Sequence, residues 1–177
     1  MEPISYTLVL KSKDGYLPGG TLNNTSAATA NNANLFYLVT ANQIFRRMSG
    51  IPGVNMCKLE FVGMEFDVAT SGNALNGIDI VVGSQYVMNT TQLTSNNAGP
   101  TERIIACVNP SLITNAGASK STIDSSEIAY KTPLYIDNIN ALTFLRIYFR
   151  LALTAAKVTS AVTPSYSMEL KVTPIMT

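Results

Sequence analysis

Apolar and polar side chains alternate with a period of two along most of the chain, which confines the fold to one built from half-buried strands. In Ser5 to Lys11, Tyr6, Leu8 and Leu10 share one face and Thr7, Val9 and Lys11 the other. Lys58 to Val68 begins with Leu59 and Phe61 on one face, then resumes after Gly63 with Met64, Phe66 and Val68 at the opposite parity. One extra residue at Val62-Gly63 restores the face, so a β-bulge or sharp bend is expected there. Gly77 to Val82 and Gln85 to Met88 read as short strands around a Gly83-Ser84 turn. Arg103 to Val108 is an apolar run stopped by Asn109-Pro110, and Lys131 to Ile136 is a further short strand.

The longest strand is expected over Leu145 to Leu153. Leu145, Ile147, Phe149, Leu151 and Leu153 alternate there with Arg146, Tyr148, Arg150 and Ala152. A helix would gather Leu142, Leu145, Phe149 and Leu153 but strand Ile147 and Leu151, whereas alternation places all five. The odd residues then face the core and the even ones face outward, where Arg150→Ala is expected to change melting little. The chain ends with Met168, Leu170 and Val172 against Glu169, Lys171 and Thr173. Leu35 to Met48 reads as a strand followed by a helical turn begun at Asn42.

Gly19 to Asn34, Asn89 to Thr101 and Ser111 to Ser126 are small, polar and almost uncharged, and read as long loops. About eight strands joined in this way within 177 residues point to one all-β domain over 1–177. The expected architecture is an antiparallel β-sandwich, a single jelly roll of about eight strands with long polar loops.

Composition narrows the chemistry. The chain is 46% hydrophobic and 13% charged, with a formal charge of +1. It has no histidine, which excludes Ser-His-Asp and Cys-His nucleophile activation, His-ligated zinc and histidine proton relays. Balanced charge argues against a nucleic-acid partner held through phosphates. Cys57 and Cys107 lie in apolar runs without CxxC spacing. Two buried thiols acting as small hydrophobes are expected, with a disulfide left open because spatial distance is not written in the sequence. Met1-Glu2-Pro3 carries no basic, apolar leader pattern, and Leu142 to Val158 is too short and too charged to span a bilayer. No cofactor and no metal are expected.

Two regions carry a resemblance. Ser5-Tyr6-Thr7-Leu8-Val9-Leu10-Lys11-Ser12-Lys13-Asp14, followed by Gly19-Gly20-Thr21-Leu22-Asn23, resembles the start of small capsid-associated proteins of large nucleocytoplasmic DNA viruses. Pro133 to Ile147 looks like the penultimate strands of their single jelly-roll minor capsid or penton proteins, and Met168-Glu169-Leu170-Lys171-Val172 like the closing strand. The resemblance spans about a quarter of the chain and contains no catalytic motif. It implies a non-enzymatic structural protein of the virion, made in the host cytoplasm, whose partners are further copies of itself or other capsid proteins.

Several residue groups invite sharper readings. Arg46-Arg47 and the Arg146, Tyr148, Arg150 stripe form the candidate protein interface, because Arg and Tyr combine contact area with directional donors. Glu65 and Asp67, with Glu60 nearby, offer the carboxylate pair of a glycosidase or a Ca²⁺ site, although a solvated strand face explains them as well. Asp137-Asn138-Ile139-Asn140 lacks the Gly and distal Glu of a calcium loop and reads as turn chemistry. Asn23, Asn24 and Asn89 begin N-x-Ser/Thr sequons, which chance supplies in a chain with about fifty Asn, Ser and Thr residues. A lectin-like sandwich, holding a sugar through Asn and Asp with Tyr16, Tyr37 or Tyr86 stacking, is the alternative function.

Overall fold

The computed structural model describes residues 4–25, 29–40, 42–66, 78–84, 102–108, 121–124, 128–151 and 165–176. Ten strands and one α-helix are present among them: β1 (Tyr6–Lys11), β2 (Asn34–Leu38), α1 (Gln43–Ser49), β3 (Val54–Phe66), β4 (Ile78–Gly83), β5 (Glu102–Val108), β6 (Ser121–Asp124), β7 (Ile128–Lys131), β8 (Leu134–Ile136), β9 (Phe144–Leu151) and β10 (Tyr166–Met176). All pairings are antiparallel. One sheet runs β1-β10-β3-β6, with β8 also on β3, and the other runs β2-β9-β4-β5-β7. The protein is therefore an all-β antiparallel sandwich.

Four of the pairings nest: β1 with β10, β2 with β9, β3 with β8, and β4 with β5. The short strands β6 and β7 depart from that order, since β3–β6 and β5–β7 interleave. Ten strands occupy fewer positions because β6 and β8 share one edge of the thirteen-residue β3. Gly63–Phe66 takes β6 and Cys57–Leu59 takes β8.

The core lies between the sheets. Leu8, Leu59, Phe61, Met168, Leu170 and Val172 of the first sheet pack with Leu35, Ile80, Leu145, Ile147 and Phe149 of the second. Phe66 meets Phe149 edge to face with centroids 6.3 Å apart, and Phe149 lies 5.2 Å from Tyr166. The Tyr37 and Tyr166 hydroxyls share a buried hydrogen bond of 2.9 Å across the sandwich, which satisfies two polar groups where water is excluded.

The alternation resolves as expected in most strands. Glu169 pairs with Gly63 and Leu170 with Phe61, so Val62 is the inserted residue, and Met64 and Phe66 return to the core. The Asn42 side chain accepts from the Ile44 backbone N–H at 2.9 Å, which caps α1, and Phe45 and Met48 are buried beneath it. Other expectations differ: among the described residues β3 and β10, with 13 and 11 residues, are longer than β9 with 8, and Gly83, expected in a turn, is the last residue of β4. Two more segments are rearranged. Lys131 to Ile136 is divided, because Pro133 cannot donate to a ladder. The chain changes sheets there, from β7 against β5 to β8 against β3. Ser121–Asp124, expected within a loop, forms β6 because the free edge of β3 offers it partners that its polar composition does not announce. The Gln85 to Met88 strand and the loop segments 89–101 and 111–120 lie outside the described residues.

Candidate functional site

The outer face of the β2-β9-β4-β5 sheet carries the three β9 residues singled out above. Leu145, Ile147 and Phe149 point into the core, so Arg146, Tyr148 and Arg150 take the opposite face, at the expected parity. That face is itself covered, however. Tyr148 is 1% exposed and forms a small second cluster with Val81 and Ile104. Arg150, expected in solvent, is 3% exposed.

Burial of Arg150 is possible because its strand neighbour is an acid. Register sets Asp79 of β4 directly beside Arg150. Arg150 Nε and Nη2 donate to Asp79 Oδ2 at 3.2 and 2.8 Å, while Nη1 is buried without a hydrogen-bond partner. Asp79 is flanked on its other side by Cys107 of β5. Burial, reinforced by the Asp79 carboxylate, pushes the Cys107 thiol up to about 11, and burial pushes Cys57 up to about 12. Both cysteines are free thiols; Cys57 is buried as expected, whereas Cys107 is only partly buried and faces Asp79.

A second polar group lies one turn of the pleat away. Arg146 Nη1 donates to Glu102 Oε1 at 3.1 Å and Nε to Asn34 Oδ1 at 2.9 Å, and the Tyr148 hydroxyl donates to Glu102 Oε2 at 2.9 Å. The guanidinium lies 4.9 Å from the Tyr148 ring centroid and 5.5 Å from that of Phe36. Burial and the Glu102 carboxylate both raise the Tyr148 phenol above its ordinary value. The bridge from β5 to β9 crosses over β4 at Gly83, which is registered with both Glu102 and Arg146. A Cβ at Gly83 would stand 3.2 Å from Glu102 Cγ and 3.7 Å from Arg146 Cβ, so the missing side chain makes room for the crossing.

Arg46 and Arg47 lie apart from this network. Both are exposed on α1; Arg46 Nε donates to the Thr40 carbonyl, and nothing among the described residues joins either to β9. The interface candidates thus separate into an internally bonded β9 group and an exposed pair at the last turn of a helix.

The other candidates fall as follows. Glu65 is exposed on β3, Glu60 pairs with Lys58 at 3.1 Å, and Asp67 lies outside the described residues. Among the described residues no cluster of three metal-ligating side chains occurs. Asp137 to Asn140 forms a turn in which the Asp137 carboxylate accepts from the Asn138 N–H and Asn138 takes φ 52°. Asn23 is engaged, donating to the Ser12 carbonyl and to Asn32 Oδ1, whereas Asn24 is exposed with φ 43°. Asn89 and Tyr86 lie outside the described residues.

Two surface hollows lie beside β2, and of their linings only Tyr16 and Tyr37 were singled out from the sequence as sugar-stacking candidates. One, of about 300 Å³, is lined by Val9, Lys11, Asp14, Tyr16, Tyr37 and Asn42 among others. The other, of about 320 Å³, is apolar and lined by Tyr16, Leu17, Pro18, Phe36, Leu38 and Phe144. The cue available in sequence was the Tyr16-Leu17-Pro18 triplet inside a polar stretch. No protein-family model matches the chain, and no curated protein matches it.

Proposed function

We propose that the chain is a structural component of a virion shell, a minor capsid or penton-type jelly roll that acts through protein–protein contacts and turns over no substrate. The observation that carries this reading is the nested strand pairing. Four pairings that nest from the chain ends inward, β1–β10, β2–β9, β3–β8 and β4–β5, support a ribbon rolled into two facing sheets, an order that capsid domains use. The internally neutralised polar groups of β9 agree with a scaffold, because their donors and acceptors are spent on holding strands together.

The test is physical association. Virus particles purified on a density gradient should contain the chain at fixed stoichiometry to the major shell protein, measured by quantitative mass spectrometry. A chain recovered only in the soluble fraction overturns the reading.

The lectin-like alternative has one observation in its favour. Tyr16 and Tyr37, with Asp14, Lys11 and Asn42, surround a single hollow of about 300 Å³. Its polar inventory is reduced, since the Tyr37 hydroxyl is bonded to Tyr166 and the Asn42 carbonyl caps α1. Binding on a glycan array that is lost in Asp14→Ala would favour it over the shell reading.

A further inference from the structure

We propose that β1 is the edge through which two copies of the chain join, antiparallel and strand to strand, with Val9 opposite Val9 of the second copy. The inference supplies the contact that the shell reading needs and rests on that reading only for its biological setting.

Every sheet edge offers unpaired N–H and C=O groups to another strand, and proteins normally blunt such edges. Among the described residues, three of the four sheet edges are blunted. The edge of β2 is closed by Tyr16, whose N–H and carbonyl bond Phe36 at 2.7 and 2.8 Å. The strands β6 and β8 are four and three residues long. Strand β7 has four residues, ends in Lys131 and is followed by Pro133. By contrast β1 has six residues, pairs with β10 without a register shift, and among the described residues has no partner on its other side. It contains no proline, and its single charge, Lys11, stands at its end.

The edge is also self-complementary. Val9 is 49% exposed, the one large apolar side chain on the outer face of β1. An antiparallel pairing centred on Val9 sets Lys11 opposite Thr7 and Leu8 opposite Leu10, so no like charges meet and the buried rows continue into the second copy. Leu38, 47% exposed, lines the same hollow of about 300 Å³ as Val9 and Tyr16. A second copy is thus the occupant that satisfies both the backbone and the side chains of this edge.

Sedimentation equilibrium of the purified chain should show a dimer. Val9→Lys, which sets two ammonium groups against each other on an exposed position, should raise the dissociation constant on the order of a hundredfold and leave thermal melting unchanged when both proteins are measured at concentrations where they are monomeric. Val9→Cys should cross-link to a dimer under mild oxidation, because directly opposed Cβ atoms lie within disulfide reach. Thr7→Cys, displaced from its own counterpart by four residues, should stay monomeric on the same gel. A wild-type chain that remains monomeric at high micromolar concentration overturns the proposal, as does a dimer indifferent to Val9→Lys. A monomer that nevertheless co-purifies with particles refutes the edge alone, whereas a β1 dimer absent from particles refutes the shell reading alone.

Discussion

Removing the Arg150 guanidinium should destabilise the protein as a buried ion pair does when one partner is lost. The side chains of Arg150 and Asp79 are 3% and 9% exposed, and among the described residues the guanidinium makes two hydrogen bonds, both to Asp79. Truncation to alanine leaves a carboxylate in a site that water does not reach, with a cavity beside it. Breaking such pairs costs about 3–5 kcal/mol, against about 0.5 kcal/mol for a charge on an exposed strand face. For a chain of this length that corresponds to a fall in melting temperature of about 6–20 °C. The measurement is urea unfolding of the wild type, Arg150→Ala, and the combined Arg150→Met with Asp79→Leu. The combined variant should recover most of the loss or exceed wild-type stability, because Nη1 has no partner and both desolvation penalties disappear together. Loss below about 1 kcal/mol in Arg150→Ala would refute the burial argument and return the residue to a wet face.

Phe149→Ala should cost about 3–5 kcal/mol, since the ring is buried and contacts both Phe66 and Tyr166; a loss under about 1 kcal/mol in chemical unfolding would contradict the core assignment. Gly83→Val should destabilise by about 1–3 kcal/mol even though strand propensity favours valine, because the new side chain meets Glu102 and breaks its bridge to Arg146; a more stable variant would refute the crossing. Melting temperature should be level near neutrality and fall as pH rises above about 9, the ordinary thiol value. Cys57 is raised to about 12 in the folded chain, so the unfolded chain ionises first and the stability contributed by the neutral thiol is lost between these values. Cys57→Ala should lessen that slope while Cys107, raised to about 11, still contributes to it, and an unchanged slope would exclude the Cys57 thiol as a cause.

Period-two patterning made the sandwich legible, since each strand with one wet face repeats it. The Val62 insertion was readable because a parity change within one strand has few causes, and Asn42 because a cap has a chemical signature. Two kinds of feature were not. Strand β6 owes its existence to the open edge of β3, a property of another part of the chain. The burial of Arg150 was hidden because alternation records which side of a sheet a residue faces and not whether that side is covered. The cue that would have served is Asp79 within the apolar run Ile78 to Val82, an acid that a central strand keeps only beside a cation.

The ion pairs also remove some of the chain's few charges from the surface. Lys58–Glu60, Arg146–Glu102 and Arg150–Asp79 occupy six of the 23 charged residues in pairs, two of them on the outer face of one sheet. What they leave to the surface is mostly Asn, Ser and Thr, which hydrate well but neither attract nor repel a partner at a distance. For such a chain, association cannot be steered by charge and must be specified at short range, by shape and by backbone pairing. Strand β1 offers that specification: six residues, one terminal lysine and an unguarded edge. Substitutions that alter distant surface charge should therefore leave self-association unchanged at moderate salt, whereas Val9→Lys should weaken it on the order of a hundredfold. Strong salt dependence of the wild-type dimer would show instead that an ionic surface, such as the exposed Arg46-Arg47 pair, makes the contact.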